Sequence, residues 1–124
     1  MKNYPFFSAK ELSCKCGKCD GGDMDDAFMF GVVVELRKQL GPLTPTSAYR
    51  CPAHNVKVSN TGLSGPHTTG KAIDLACVDG RSRMRLVKAA MALGVTRIGI
   101  AKNFVHLDGL GEEDGFPSEV IWNY

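Results

Sequence analysis

Two short segments limit what this chain can fold into more than anything else in it: residues 71–77 (KAIDLAC) and residues 104–108 (FVHLD). Side chains along a strand alternate between its two faces. In the first segment Ile73, Leu75 and Cys77 therefore share one face, and Ala72, Asp74 and Ala76 the other. The small neighbours of Asp74 leave that face room for something other than core. In the second segment Val105 and Leu107 turn inward, while Phe104, His106 and Asp108 share the opposite face. Six residues separate His67 from Asp74, with Gly70 bending the chain between them. That is not the i,i+4 spacing of one helix face, so a loop delivers His67 and a strand delivers Asp74. If the two strands pair, His67, Asp74 and His106 converge. Two neutral imidazoles and a carboxylate leave a fourth position open for water, the form of a catalytic zinc site. The same residues also fit a plainer arrangement, hydrogen-bonded histidines and an aspartate capping a turn.

The rest of the chain supplies the scaffold. Ser8 and Glu11 form a capping-box pattern over residues 8–12. A long helix is expected over residues 24–40, with Asp23, Asp25 and Asp26 at its start and Arg37 and Lys38 at its end. Gly41-Pro42 stop it. Its buried stripe is read as Phe28, Val32, Leu36 and Leu40, widened by Met29 and Val33. LTPTSAYR reads as a strand broken by Pro45, hence an edge or irregular one. Pro52 opens a short helix to about residue 58. Asp79 or Ser82 caps a second long helix, with Leu86, Val87, Ala90, Met91 and Leu93 as its buried side and Gly94 at its end. TRIGIA, FVHLDG and VIWNY are further strands; Trp122 could line a cleft or bury its ring in the core, and it is assigned to the core. The expected class is α+β, a mostly antiparallel sheet with packed helices, in one domain over residues 1–124.

Composition matters mainly for what it excludes. A net charge of +2 is too weak to argue for nucleic acid. No apolar run is long enough to span a membrane, and the N-terminal MKNYPFFSAKEL shows no signal peptide. The five cysteines are an odd number. Cys14, Cys16 and Cys19 are compactly spaced and could give three thiolates to a structural zinc, completed by Cys51 or His54; free thiols, or one disulfide formed after export, are the alternative. Cys77 lies on the apolar parity of its strand and reads as core.

The order of two motifs adds a resemblance. His67-Thr-Thr-Gly70-Lys-Ala72-Ile-Asp74, preceded by Ser47-Ala-Tyr49-Arg50 and followed by Phe104-Val-His106-Leu-Asp108, resembles the zinc D-alanyl-D-alanine carboxypeptidase and L-alanyl-D-glutamate endopeptidase family. It implies a hedgehog/DD-peptidase fold, with Zn2+ held by His67, Asp74 and His106. It implies hydrolysis of a peptidoglycan stem peptide, at an L-alanyl-D-glutamate or a D-alanine bond. By the same resemblance Arg50 lies beside the metal and binds a substrate carboxylate or the developing oxyanion, and Ser47 supplies a structural or substrate-binding hydroxyl. Many relatives carry an acid three residues before the last histidine ligand as general base. Here that residue is Asn103, which cannot accept a proton at neutral pH. Asp108 is the candidate substitute, or else a group orienting His106 or holding Arg50. A monomeric phage or prophage lysin is expected, made in the bacterial cytoplasm and acting at the wall after release. The alternative is a non-catalytic zinc-containing module that binds the wall or belongs to a virion.

Overall fold

The computed structural model describes residues 1–124. Five strands form one sheet: β1 (Pro45–Ser47), β2 (Ala72–Ala76), β3 (Arg97–Ile100), β4 (Phe104–Asp108) and β5 (Val120–Asn123). Their order is β1-β2-β4-β3-β5. All neighbours are antiparallel except β3 and β5, which run parallel. The fold is α+β, as the alternating and helical periods require. Pro45 sits on the edge strand β1, where its missing N–H costs no ladder bond, and the register shifts between Pro45 and Ser47.

The helices α1 (Ala9–Leu12), α2 (Asp26–Phe28), α3 (Val34–Leu40), α4 (Pro52–Val58) and α5 (Gly80–Ala92) accompany the sheet. The capping box at Ser8 and Glu11 forms, and Asp25 and Asp79 accept N–H bonds as the caps of α2 and α5. The long helix expected over residues 24–40 is continuous but not regular: a π-helical turn, Met29–Val33, joins α2 to α3. That wider turn rotates the buried face, so Met29, Val33, Val34 and Leu36 are enclosed while Val32 and Leu40 are only half-buried. Met91 also departs from expectation and is 61% exposed. At 100° per residue it lies about 140° round α5 from Leu86, off the face that Leu86 and Ala90 bury.

Ile73 and Leu75 of β2, Ile98 of β3, and Val105 and Leu107 of β4 are enclosed against these helices in one core. Burying each such side chain fully stabilises the fold by about 1.5–3 kcal/mol. This fixes the strand register. A one-residue slip of β4 would drive His106 and Asp108 into the apolar layer, so the energetics of one face place the chemistry on the other.

Candidate metal centre

The β2–β4 pairing sets Asp74 directly opposite His106. His67 arrives from a 3-10 turn, Pro66–Thr69, whose entry is fixed by Pro66 and whose exit is Gly70 in the left-handed region at φ 78°. A Cβ on Gly70 would lie 2.6 Å from the carbonyl oxygen of Asp23, so only glycine lets this turn press against the start of α2. The Asp25 N–H bonds the Gly70 carbonyl there at 2.8 Å. Asp74 Oδ1 then lies 3.2 Å from His67 Nε2 and 2.9 Å from His106 Nδ1, with all three side chains buried. Bonds of about 2.1 Å to a tetrahedral zinc separate ligand atoms by roughly 3.4 Å, close to these spacings.

The outer nitrogens decide what the inner ones offer. His67 Nδ1 lies 2.7 Å from the Ala48 carbonyl, which only accepts, so Nδ1 carries the proton and donates. His106 Nε2 lies 2.7 Å from Asp108 Oδ2 and likewise donates. In the neutral rings, His67 Nε2 and His106 Nδ1 then present lone pairs toward a carboxylate oxygen that is also an acceptor. Three acceptors converging on one buried point need a cation or extra protons between them. The donor set therefore fits a zinc ion.

Titration behaviour follows the same geometry. Burial pushes the Asp74 carboxyl up, but pairing with His106 and His67, which turns favourable once a ring nitrogen facing it is protonated, outweighs this and holds the group at about 2. Burial pushes the His106 imidazolium down, and Asp108 and Asp74 more than offset this, so its pKa is raised above the ordinary value.

Arg50 reaches the same point from the segment after β1. Its Nη2 lies 3.7 Å from Asp74 Oδ2, its Nε donates to Ser47 Oγ at 3.1 Å, and its Nη1 donates to Asn55 Oδ1 at 2.8 Å. Asn55 is itself buried and donates to Thr61 Oγ1 and the Gly62 carbonyl, so it holds a loop. Asp108 does not hold Arg50. Its Oδ1 accepts from Arg97 Nε at 2.8 Å and from the Leu110 N–H at 3.2 Å, while Oδ2 faces His106. Arg97 was missing from the sequence-derived set. The signal was present: alternation in TRIGIA puts Arg97 and Gly99 opposite Ile98 and Ile100, and β3–β4 pairing sets Arg97 beside Asp108.

A cleft of about 920 Å³ opens over the centre. Its lining combines cationic and polar groups, among them Arg50, Lys57, Ser59 and Asn60, with the aromatic rings of Phe104, Phe116, Trp122 and Tyr124. Trp122 is a correction to its core assignment. It is half-buried in the cleft wall, with its ring centroid 5.4 Å from that of His106. Gly99 permits this, since a Cβ there would lie 2.7 Å from the indole. Asn103 is exposed in the turn before β4 and is not among the cleft residues; its carbonyl accepts from the Cys77 N–H. Asp74 is the only carboxylate lining the cleft.

No helix of the protein is long and apolar enough to cross a membrane. No curated protein matches the chain. The family model described as Peptidase M15 matches residues 5–108, a span that carries Arg50, His67, Asp74, His106 and Asp108. The chain thus belongs to the Peptidase M15 family.

Proposed function

We propose that this chain is a zinc-dependent peptidase that hydrolyses peptide bonds in the stem peptides of peptidoglycan. One observation carries the proposal: His67 Nε2, Asp74 Oδ1 and His106 Nδ1 converge at the floor of an open cleft, with both outer imidazole nitrogens already donating elsewhere. Membership of a peptidase family supports it. A zinc ion held by these three residues would supply Lewis-acid polarisation of the scissile carbonyl and acidify water.

The chain's own groups would do the rest. Arg50, fixed by Ser47 and Asn55, presents Nη2 beside Asp74, where a guanidinium can bind a substrate carboxylate or the developing oxyanion. Ser47 acts by aiming Arg50. Asp108 and the Ala48 carbonyl keep His106 and His67 in the required tautomer. We read Asp108 as this positioning group rather than the base, because its side chain is wholly enclosed and both oxygens are engaged. Lys57 adds positive charge to the cleft, as suits a peptide bearing several carboxylates. The likeness of the motifs to small phage lysins supports a lytic role.

The test is digestion of purified peptidoglycan by the zinc-loaded protein, with a chelated control and mass spectrometry of the released peptides. Chelator-sensitive cleavage is expected, and the new termini identify the bond as L-alanyl-D-glutamate or D-alanine. Stoichiometric zinc with no products from several wall chemotypes would overturn the peptidase reading. It would favour a wall-binding module, for which the lack of a free carboxylate in the cleft is the specific observation.

A further inference from the structure

A second cluster lies outside the cleft, at the start of the chain. Cys14, Cys16 and Cys19 sit on the irregular loop that follows α1, and Cys51 immediately precedes α4. Their four sulfurs all lie within 4.8 Å of one another, and none is in a disulfide. His54, the other sequence candidate for a fourth ligand, is not part of the group.

Each sulfur accepts a backbone N–H. Cys51 N donates to Cys14 Sγ at 3.3 Å, Lys18 N to Cys16 Sγ at 3.3 Å, Gly21 N to Cys19 Sγ at 3.4 Å, and His54 N to Cys51 Sγ at 3.4 Å. Amide donors aimed at sulfur favour thiolates over thiols. Four thiolates this close repel one another unless a cation lies among them, and four sulfurs gathered within 4.8 Å suit zinc. Zinc–sulfur bonds of about 2.3 Å put the sulfurs roughly 3.8 Å apart, and Cys16 Sγ and Cys51 Sγ are 3.8 Å apart here. Lys15 and Lys18 in the same loop lower the net charge of such a centre.

We propose that Cys14, Cys16, Cys19 and Cys51 form a structural zinc site that fastens the N-terminal loop to the segment carrying Arg50. Binding exchanges thiol protons for the metal and needs no oxidant. Three consecutive amides show what the site would brace. Tyr49 N bonds the Leu12 carbonyl, Arg50 N bonds the His67 carbonyl, and Cys51 N bonds Cys14 Sγ. The backbone of Arg50 is thus bonded on one side to the histidine turn and adjoins a residue bonded to the sulfur cluster. Between Leu12 and Asp26 the chain forms no regular element, and of residues 13–23 only Cys14 is buried. A loop with so little core of its own is the sort that a metal cross-link stabilises.

The experiment is zinc stoichiometry on the reduced full chain, compared with His67→Ala and Cys16→Ser. Two equivalents are expected for the parent and one for each variant. One equivalent in the parent, kept in Cys16→Ser and lost in His67→Ala, would overturn the sulfur site while leaving the peptidase reading intact. One equivalent kept in His67→Ala and lost in Cys16→Ser would instead support the sulfur site and count against the histidine one. If Cys16→Ser does not fold, cobalt loading of the parent decides. Thiolate-to-cobalt charge transfer in the near ultraviolet with intense red ligand-field bands is expected, and their absence overturns the proposal. An unreduced intact mass short of two hydrogens per bond, with no such bands, would show disulfides and overturn it equally. In His67→Ala, chelation should lower the melting temperature by roughly 5–10 °C, since metal binding at a loop of this kind is folding free energy. No shift would overturn the structural role.

Discussion

The histidine centre and the sulfur cluster differ in what holds their donors. Asp74 and His106 stand opposite each other on central strands whose other face is locked by Ile73, Leu75, Val105 and Leu107. His106 is further oriented by Asp108, itself held by Arg97, and His67 by the Ala48 carbonyl. Cys16 and Cys19 stand on a loop without helix or strand, and only short N–H···S contacts arrange them. The first site is preorganised by packing, so on the proposed reading metal loss there should remove chemistry and leave the fold. The second has little packing behind it, so metal loss from the proposed sulfur site should loosen the structure. Rigid elements suit a reacting centre, because small displacements are costly in rate.

The largest effect should come from His106→Ala. Peptidase activity should fall at least ~10³-fold together with loss of one zinc equivalent, since the metal chemistry goes with its ligand. Far-UV circular dichroism should stay close to that of the parent. Global unfolding of that variant would break the contrast, because the histidine centre would then be structural too. Arg50→Ala should lower kcat/KM by about 10²–10³-fold, the range for losing one donor to a developing oxyanion, with both zinc equivalents retained. Zinc loss in Arg50→Ala, measured by elemental analysis, would show that Arg50 holds the ligands instead of the substrate.

Asp108→Asn sharpens the comparison further. It should weaken zinc at the histidine centre by about 10–100-fold in a competition titration, as loss of an orienting partner does, while saturating zinc restores much of the rate. A rate that stays abolished at full zinc occupancy would instead make Asp108 the base.

The smallest effect expected is in the pH dependence of melting. In metal-free protein His106 has a raised pKa, so its contribution is fully present below about 6.5 and is lost as pH rises through the raised folded value. Asp74 is depressed from 3.8 to about 2, so its contribution is present above 3.8 and lost as pH falls through about 2. With zinc bound, protons compete for the same nitrogens, so stability should rise with pH across the neutral range. Calorimetry of the two forms should give slopes of opposite sign, by a few degrees. Parallel slopes would mean that zinc does not replace the His106 proton.

Much of the histidine centre was legible in advance because it depends on local periods. Alternation in KAIDLAC and FVHLD fixed which side chains leave the core, and Gly70 marked the bend that brings His67 round. Arg97 shows the limit of that reading. Its parity was available, but its partnership with Asp108 exists only once β3 pairs with β4. Trp122 was misplaced for a related reason: an indole reads as core by composition, and the open face of Gly99 that draws it over His106 is a property of two paired strands. The π-turn at Met29–Val33 was equally hidden: Gly31 lies at its centre, but a lone glycine in a helical pattern weakens the helix without specifying a π-turn.

By itself, then, the sequence determined the α+β class, the helix caps, the edge position of Pro45 and which residue types could serve a metal. These rest on backbone sterics, side-chain parity and burial, all short-range or averaged quantities. Tertiary structure alone decided that Asp108 joins His106 to Arg97, that Arg50 is braced by Ser47 and Asn55, and that Cys51 rather than His54 meets the other three sulfurs. Those are contacts set to within an ångström between distant segments, and strand register and loop closure fix them, not propensity.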